Sequence, residues 1–275
     1  MKTLNLTFGP PANPVAVTLY QPAAIADFDQ PPRRPLAILL PGGGYRFYSD
    51  RENEIVAFQY LAQGYAVAVV AYRLLDQPPV YPAVLEQVAH VVAGFHQRAA
   101  DYAVDADHLL LVGFSAGGHV AALYADLWPQ LAPRCQLPRQ DCSVWAVTLA
   151  YPVIGLRLGW PVDAAARQAI AGKWALTEAD HLVTAQNPPT FIWTTATDEL
   201  VPPINAQCYV KALRREGVPV RFHLYPRGPH ALSLARPVTA FAAGTRHDAT
   251  FGQRYVQAEV AGWFTEQIRW LQRLW

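Results

Sequence analysis

Between residues 36 and 225 the chain repeats one pattern: a short apolar run, a turn, then a longer stretch of helical period. Nothing else in it constrains the fold as tightly. Residues 36–40, 65–71, 108–112, 144–151, 190–196 and 220–225 read as strands. Residues 52–63, 82–100, 119–126 and 204–216 read as the helices between them, with a C-terminal helix over 252–271. Periodicity alone does not separate a five-residue apolar run from a piece of buried helix, but Pro35 and Pro41 bound the first run at strand length. Unbroken apolar strands need cover on both faces, so the pattern implies an α/β chain with a mainly parallel sheet between helical layers. Residues 3–8 and 15–20, each followed by proline-rich turns that include Pro31 and Pro32, read as leading antiparallel strands.

The 275 residues are 52% hydrophobic, enough to fill one large core, and a single domain over 1–275 is expected. The alternation fails between 152 and 189, apart from a small helical piece at 164–171. This segment is expected to be an insertion, a cap or lid over the carboxyl edge of the sheet, because long connections in compact domains usually serve function.

Lys and Arg number 22 against 21 Asp and Glu, a balance of +1 that offers no field to attract nucleic acid or anionic lipid. No apolar stretch reaches the roughly 18 residues of a membrane span. Residues 1–7 carry neither the apolar run nor the cleavage site of a secretory signal, so a cytoplasmic location is expected. Cys135, Cys142 and Cys208 have neither disulfide-framework numbers nor zinc-site spacing and are expected to be plain thiols. No metal or cofactor signature is present, so neither is expected.

In open α/β sheets, sites form beyond the carboxyl ends of the strands. After 108–112 comes Gly113-Phe114-Ser115-Ala116-Gly117-Gly118, a G-x-S-x-G corner leading into a helix. Such a corner lifts its serine out of the sheet as a nucleophile, and the flanking glycines let strand and helix pass closely. A serine hydroxyl needs a base, and the base needs an acid to fix its tautomer. Asp198 follows the strand at 190–196, whereas its neighbour Glu199 is expected to point the other way. His230 follows the last strand on a loop. His90, His96 and His223 lie inside helix or strand patterns, and His119, on the helix after Ser115, is expected to face the sheet. The oxyanion formed by serine attack needs backbone donors. Gly43 and Gly44, in the glycine run after 36–40, together with Ala116, can supply them, because glycine reaches positive φ without a side chain in the way.

With those residues in place, the chain resembles the α/β-hydrolase superfamily from Leu36 onward. It is similar, more narrowly, to small bacterial acetyl esterases related to acetylxylan esterases. Pro41-Gly42-Gly43-Gly44-Tyr45, Ser49-Asp50-Arg51-Glu52, Asn187-Pro188-Pro189-Thr190-Phe191, Thr197-Asp198-Glu199-Leu200-Val201-Pro202 and Gly228-Pro229-His230 carry the likeness. Pro41 stands where the hormone-sensitive-lipase-like branch has histidine, which points away from that branch, and Ala231 stands where relatives commonly have glycine. The order Ser115, Asp198, His230 is the order of that fold. The resemblance implies an α/β-hydrolase fold and hydrolysis of short acyl esters, acetyl above all, on a sugar or similar small alcohol. Tyr45, Arg51, Trp160 and Trp174 are candidates for substrate contact. The aromatic ones, with Phe47 and Tyr48, are equally core candidates, and Arg51 is equally a partner for a carboxylate. Glu52 suits the start of a helix. The same residues serve aryl-ester, amide or peptide cleavage, and a hydrolase fold can also bind without catalysing. The expected partner is a small-molecule ester.

Overall fold

A computed structural model describes residues 1–23, 33–242 and 245–275. The turn at Pro31 and Pro32 lies outside the described residues. Eight strands form one sheet in the order β1-β2-β4-β3-β5-β6-β7-β8. They are β1 (Lys2–Phe8), β2 (Val15–Gln21), β3 (Arg34–Leu40), β4 (Ala66–Ala71), β5 (Val104–Phe114), β6 (Ala146–Ala150), β7 (Thr190–Thr195) and β8 (Val220–Tyr225). β1 is antiparallel to β2 and β2 is antiparallel to β4, and every pairing from β4 to β8 is parallel.

Alternate residues of each central strand feed opposite faces, as the two-residue period of a strand requires. On β3, Leu36, Ile38 and Leu40 join one core with α2 (Ala83–Gln97), α3 (Ala116–Arg134) and α5 (Ile204–Arg215). Ala37 and Leu39 join the other with α1 (Glu54–Leu61) and α6 (Trp263–Leu271). Both faces are covered, which is why the central strands carry no polar alternation.

β5 starts at Val104, four residues before the run at 108–112, and three helices also differ from their sequence reading. The helix after Ser115 runs eight residues past 126, through Pro129 and Pro133. Both prolines sit outside the packed face, while Leu127, Leu131 and Ala132 remain buried, so packing outweighs the lost N–H groups. The helix expected over 252–271 is a 3₁₀ turn, Phe251–Tyr255, followed by α6. The chain leaves helical geometry between them to donate Gln257 N–H to the Ala235 carbonyl at 2.9 Å. The helix expected from 52 is a 3₁₀ turn, Asp50–Glu52, followed by α1.

Residues 152–189 hold α4 (Ala164–Ala171), whose first turn is capped by Asp163, and a 3₁₀ turn, Ala179–His181. Asn205, fully buried, ties this segment to α5. Its Oδ1 accepts from Ile154 N–H at 2.9 Å and its Nδ2 donates to the Leu158 carbonyl at 2.9 Å. A second tie is Asn187 Nδ2 to Asp126 Oδ1 on α3, at 2.5 Å. Among the described residues no helix is long and apolar enough to cross a membrane, and all three cysteines are unpaired.

Candidate active site

Ser115 sits between β5 and α3 with φ 52° and ψ −115°, a left-handed conformation that a side chain rarely adopts. Its N–H donates to the Ala150 carbonyl at 3.0 Å and its carbonyl accepts from Val153 N–H at 3.1 Å, so neighbouring backbone holds the strained residue. The flanking glycines make the corner possible. A Cβ on Gly113 would lie 2.5 Å from the Gly117 carbonyl oxygen, and one on Gly117 would lie 2.1 Å from that of Leu40.

Two loops converge on this serine. Thr195 and Thr197, at the end of β7, donate their hydroxyls to the Gly228 carbonyl at 2.6 and 3.2 Å, and Gly228 N–H donates to Thr197 Oγ1 at 2.9 Å. The stitch sets Asp198 against His230, with Asp198 Oδ2 2.7 Å from His230 Nδ1. Asp198 Oδ1 accepts from Leu200 and Val201 N–H at 3.0 and 2.9 Å, so both carboxylate oxygens are engaged. His230 Nε2 lies 2.7 Å from Ser115 Oγ. A carboxylate can only accept, so the Nδ1 proton belongs to the Asp198 bond and Nε2 is free to accept from the serine hydroxyl. Glu199 is exposed, whereas Asp198 is buried.

Gly43 and Gly44 have φ of 128° and 62° and line a cavity of about 610 Å³ together with Ser115 and His230. Among the described residues nothing accepts from the N–H of Gly43, Gly44 or Ala116, whereas Gly42 N–H donates to Glu52 Oε2 at 2.8 Å. Trp160, Pro161, Val162, Ala166 and Ile170 of the segment 152–189 line the cavity. Phe47, Leu75, Leu200, Ala231 and Phe241 complete its apolar lining.

Of the four candidates for substrate contact, Trp160 and Arg51 line the cavity and Tyr45 and Trp174 do not. Tyr45 is fully buried behind Trp160, with ring centroids 6.3 Å apart, and its hydroxyl lies 2.8 Å from both Tyr81 Oη and His119 Nδ1. Trp174 stands on a separate depression with Leu127, Leu131 and Arg134, and its indole N–H donates to the Leu176 carbonyl at 2.9 Å. Among the described residues Arg51 forms no ion pair with a carboxylate. Its guanidinium lies 4.0 Å from the Phe241 ring centroid and 4.8 Å from that of Tyr255, and its Nε donates to the Thr239 carbonyl at 2.5 Å.

His119 does not face the sheet. It is fully buried under the segment 152–189, and its Nε2 donates to the Thr177 carbonyl at 2.8 Å. Burial pulls its pKa down to about 4, against the opposing effect of that bond. The neutral ring then accepts at Nδ1 from the Tyr45 hydroxyl. Glu52 is the other residue whose place the sequence hides. It is not a solvent-facing helix start but a carboxylate with 1% exposure, and burial raises its pKa while bonds from Tyr151 and Gly42 oppose the rise. Among the described residues no group of three or more His, Cys, Asp or Glu is placed to hold a metal ion.

Comparison with known proteins places the chain among esterase-like α/β-hydrolases. The BD-FAE family model matches residues 21–156. A carboxylesterase structure from Lactobacillus plantarum is 36% identical, superposes with a TM-score of 0.91, and shares 99% of this chain and 98% of its own. Endo-1,4-beta-xylanase B of Butyrivibrio fibrisolvens is 29% identical over 74% of this chain, and the acetylxylan esterase of Xylanibacter ruminicola is 28% identical over 71%. The chain spans 33% of the length of the first of these two and 40% of the second.

Proposed function

Because the chain belongs to the esterase-like α/β-hydrolases, we propose that it is a serine carboxylesterase that cleaves short acyl esters, acetyl esters first, through an acyl-enzyme. The observation that carries this reading is the unbroken hydrogen-bond chain Ser115–His230–Asp198, whose serine and histidine line the cavity. His230 takes the Ser115 proton as Oγ attacks the ester carbonyl, Asp198 stabilises the imidazolium, and the amides of Gly43, Gly44 and Ala116 receive the oxyanion. His230 then protonates the departing alcohol. Water, deprotonated by the same imidazole, releases the acid. The acetyl preference draws support from the acetylxylan esterase of Xylanibacter ruminicola. The cytoplasmic setting draws support from three cysteines left as thiols.

The cavity favours a second substrate group. At about 610 Å³ and with Trp160, Phe47, Val162 and Leu200 along it, it is far larger than an acetyl group needs and falls in the range of drug-sized ligand pockets. An ester with a bulky apolar or aromatic portion fits that space. The segment 152–189 is the substrate wall in this reading. A p-nitrophenyl ester series of increasing acyl length, run beside acetylated xylo-oligosaccharides and aryl esters, tests it. Turnover of the acetyl ester, lost in Ser115→Ala, is the expected result. Cleavage of amides only, or no turnover of any ester, contradicts it.

A further inference from the structure

Glu52 stands outside the Ser115–His230–Asp198 chain, yet it holds the two loops that must be fixed against Ser115. Its Oε2 accepts the Gly42 N–H at 2.8 Å, and Gly42 leads directly into Gly43 and Gly44. Its Oε1 accepts the Tyr151 hydroxyl at 2.6 Å, and that hydroxyl accepts Ser233 N–H at 2.9 Å, three residues beyond His230. The Tyr151 ring meets the His230 imidazole edge-on, with centroids 5.0 Å apart. A buried carboxylate is costly to desolvate, and a packed apolar group fills such a space at no electrostatic cost. The feature therefore calls for a use beyond packing.

We propose that Glu52 is a positioning residue for ester cleavage. Through Gly42 its carboxylate fixes the amides of Gly43 and Gly44, through Tyr151 and Ser233 it fixes the loop of His230, and its negative charge favours the imidazolium that forms as Ser115 attacks. The proposal rests on the reading of Ser115 as nucleophile and His230 as base. The attraction is mutual, since a charged His230 also favours the ionised form of Glu52. Asp198 orients the imidazole directly, whereas Glu52 acts on it only through Tyr151 and through space.

Glu52→Gln tests it. The amide keeps the shape but offers one acceptor oxygen, so its NH₂ must face either the Gly42 N–H or a Tyr151 hydroxyl that already receives Ser233 N–H. The expected result is a fall in kcat of about 10- to 100-fold with KM within about threefold, the scale of a misplaced donor. The acid limb of the kcat/KM profile moves to lower pH, because His230 loses a neighbouring negative charge. The melting temperature stays level or rises, since no buried charge remains to be desolvated. Tyr151→Phe, which keeps the ring against His230, should lower kcat in the same way and decides the matter if the first variant does not fold. Folded Glu52→Gln with kcat within threefold of the parent and an unmoved pH profile overturns the proposal. If the parent protein neither hydrolyses esters nor reacts with a fluorophosphonate, the reading of the site fails instead, so the two failures are distinct.

Discussion

Replacing His119 with glutamine should remove a pH dependence of stability that the parent protein carries. Buried against Thr177, Tyr45 and Tyr81, His119 has its pKa pulled from 6.5 to about 4 by burial. The unfolded chain takes up this proton below about pH 6.5 and the native protein refuses it until about pH 4. Stability from this group is therefore fully present above pH 6.5 and lost as the pH falls toward 4. The slope is about 1.4 kcal/mol per pH unit, which makes about 3 kcal/mol across the window and about 2 kcal/mol between pH 7 and pH 4.5. Glu52 and Asp126 work in the opposite sense, because burial raises their pKa, so the native state binds their protons before the unfolded chain does and gains stability from them as the pH falls. The parent's own curve mixes these effects, so the difference between parent and variant is the quantity to follow. Glutamine retains a donor for the Thr177 carbonyl and does not titrate. Urea unfolding of both proteins at pH 7 and pH 4.5 should show the stability gap between them shrinking by about 2 kcal/mol on acidification. A gap that is the same at both pH values would refute the burial argument.

Two further substitutions probe the corner and the acid. Gly117→Ala places a Cβ 2.1 Å from the Leu40 carbonyl oxygen and 2.6 Å from that of Pro41, both backbone atoms. It should cost about 3 kcal/mol or more and lower the melting temperature by about 6–12 °C, and an unchanged melting curve would show that α3 does not pass β3 so closely. Asp198→Asn can keep the Leu200 and Val201 N–H bonds at its oxygen, but its NH₂ then faces His230 Nδ1 and turns the imidazole to the wrong tautomer. Steady-state kinetics should give a kcat lower by about 10³–10⁴-fold with the fold intact, and a loss under tenfold would remove Asp198 from its role.

The strands were legible because the central ones hold short apolar runs on both faces, and Leu36 to Leu40 are bounded by proline at each end. Ser115, Asp198 and His230 were legible because each follows a strand at the carboxyl edge, where short-range order fixes position. Helix ends were not, since tertiary packing decided them. Pro129 and Pro133 look like stops, yet burial of Leu127 and Leu131 carries α3 past both. Gly262, which opens α6, lay inside what reads as one helix. The residues around the site were the least legible. Tyr45 adjoins the glycine run and looks like a substrate contact, but with φ 62° it turns into the core to meet His119. Trp160 and Trp174 belong to one segment, 152–189, and read alike, and only the path of the chain through α4 sends one to the cavity and the other away. The burial of Glu52 depends on Gly42 and Tyr151, ten and ninety-nine residues distant, which no local pattern reveals.

Intact-protein mass spectrometry on acid-quenched enzyme during turnover of p-nitrophenyl acetate tests the account most directly, with the modified peptide then mapped. The account predicts a transient gain of one acetyl group on Ser115, absent in Ser115→Ala and prolonged in Asp198→Asn. Turnover with no covalent species under rapid quench, or an acetyl group mapped to another side chain while Ser115→Ala remains active, would contradict it.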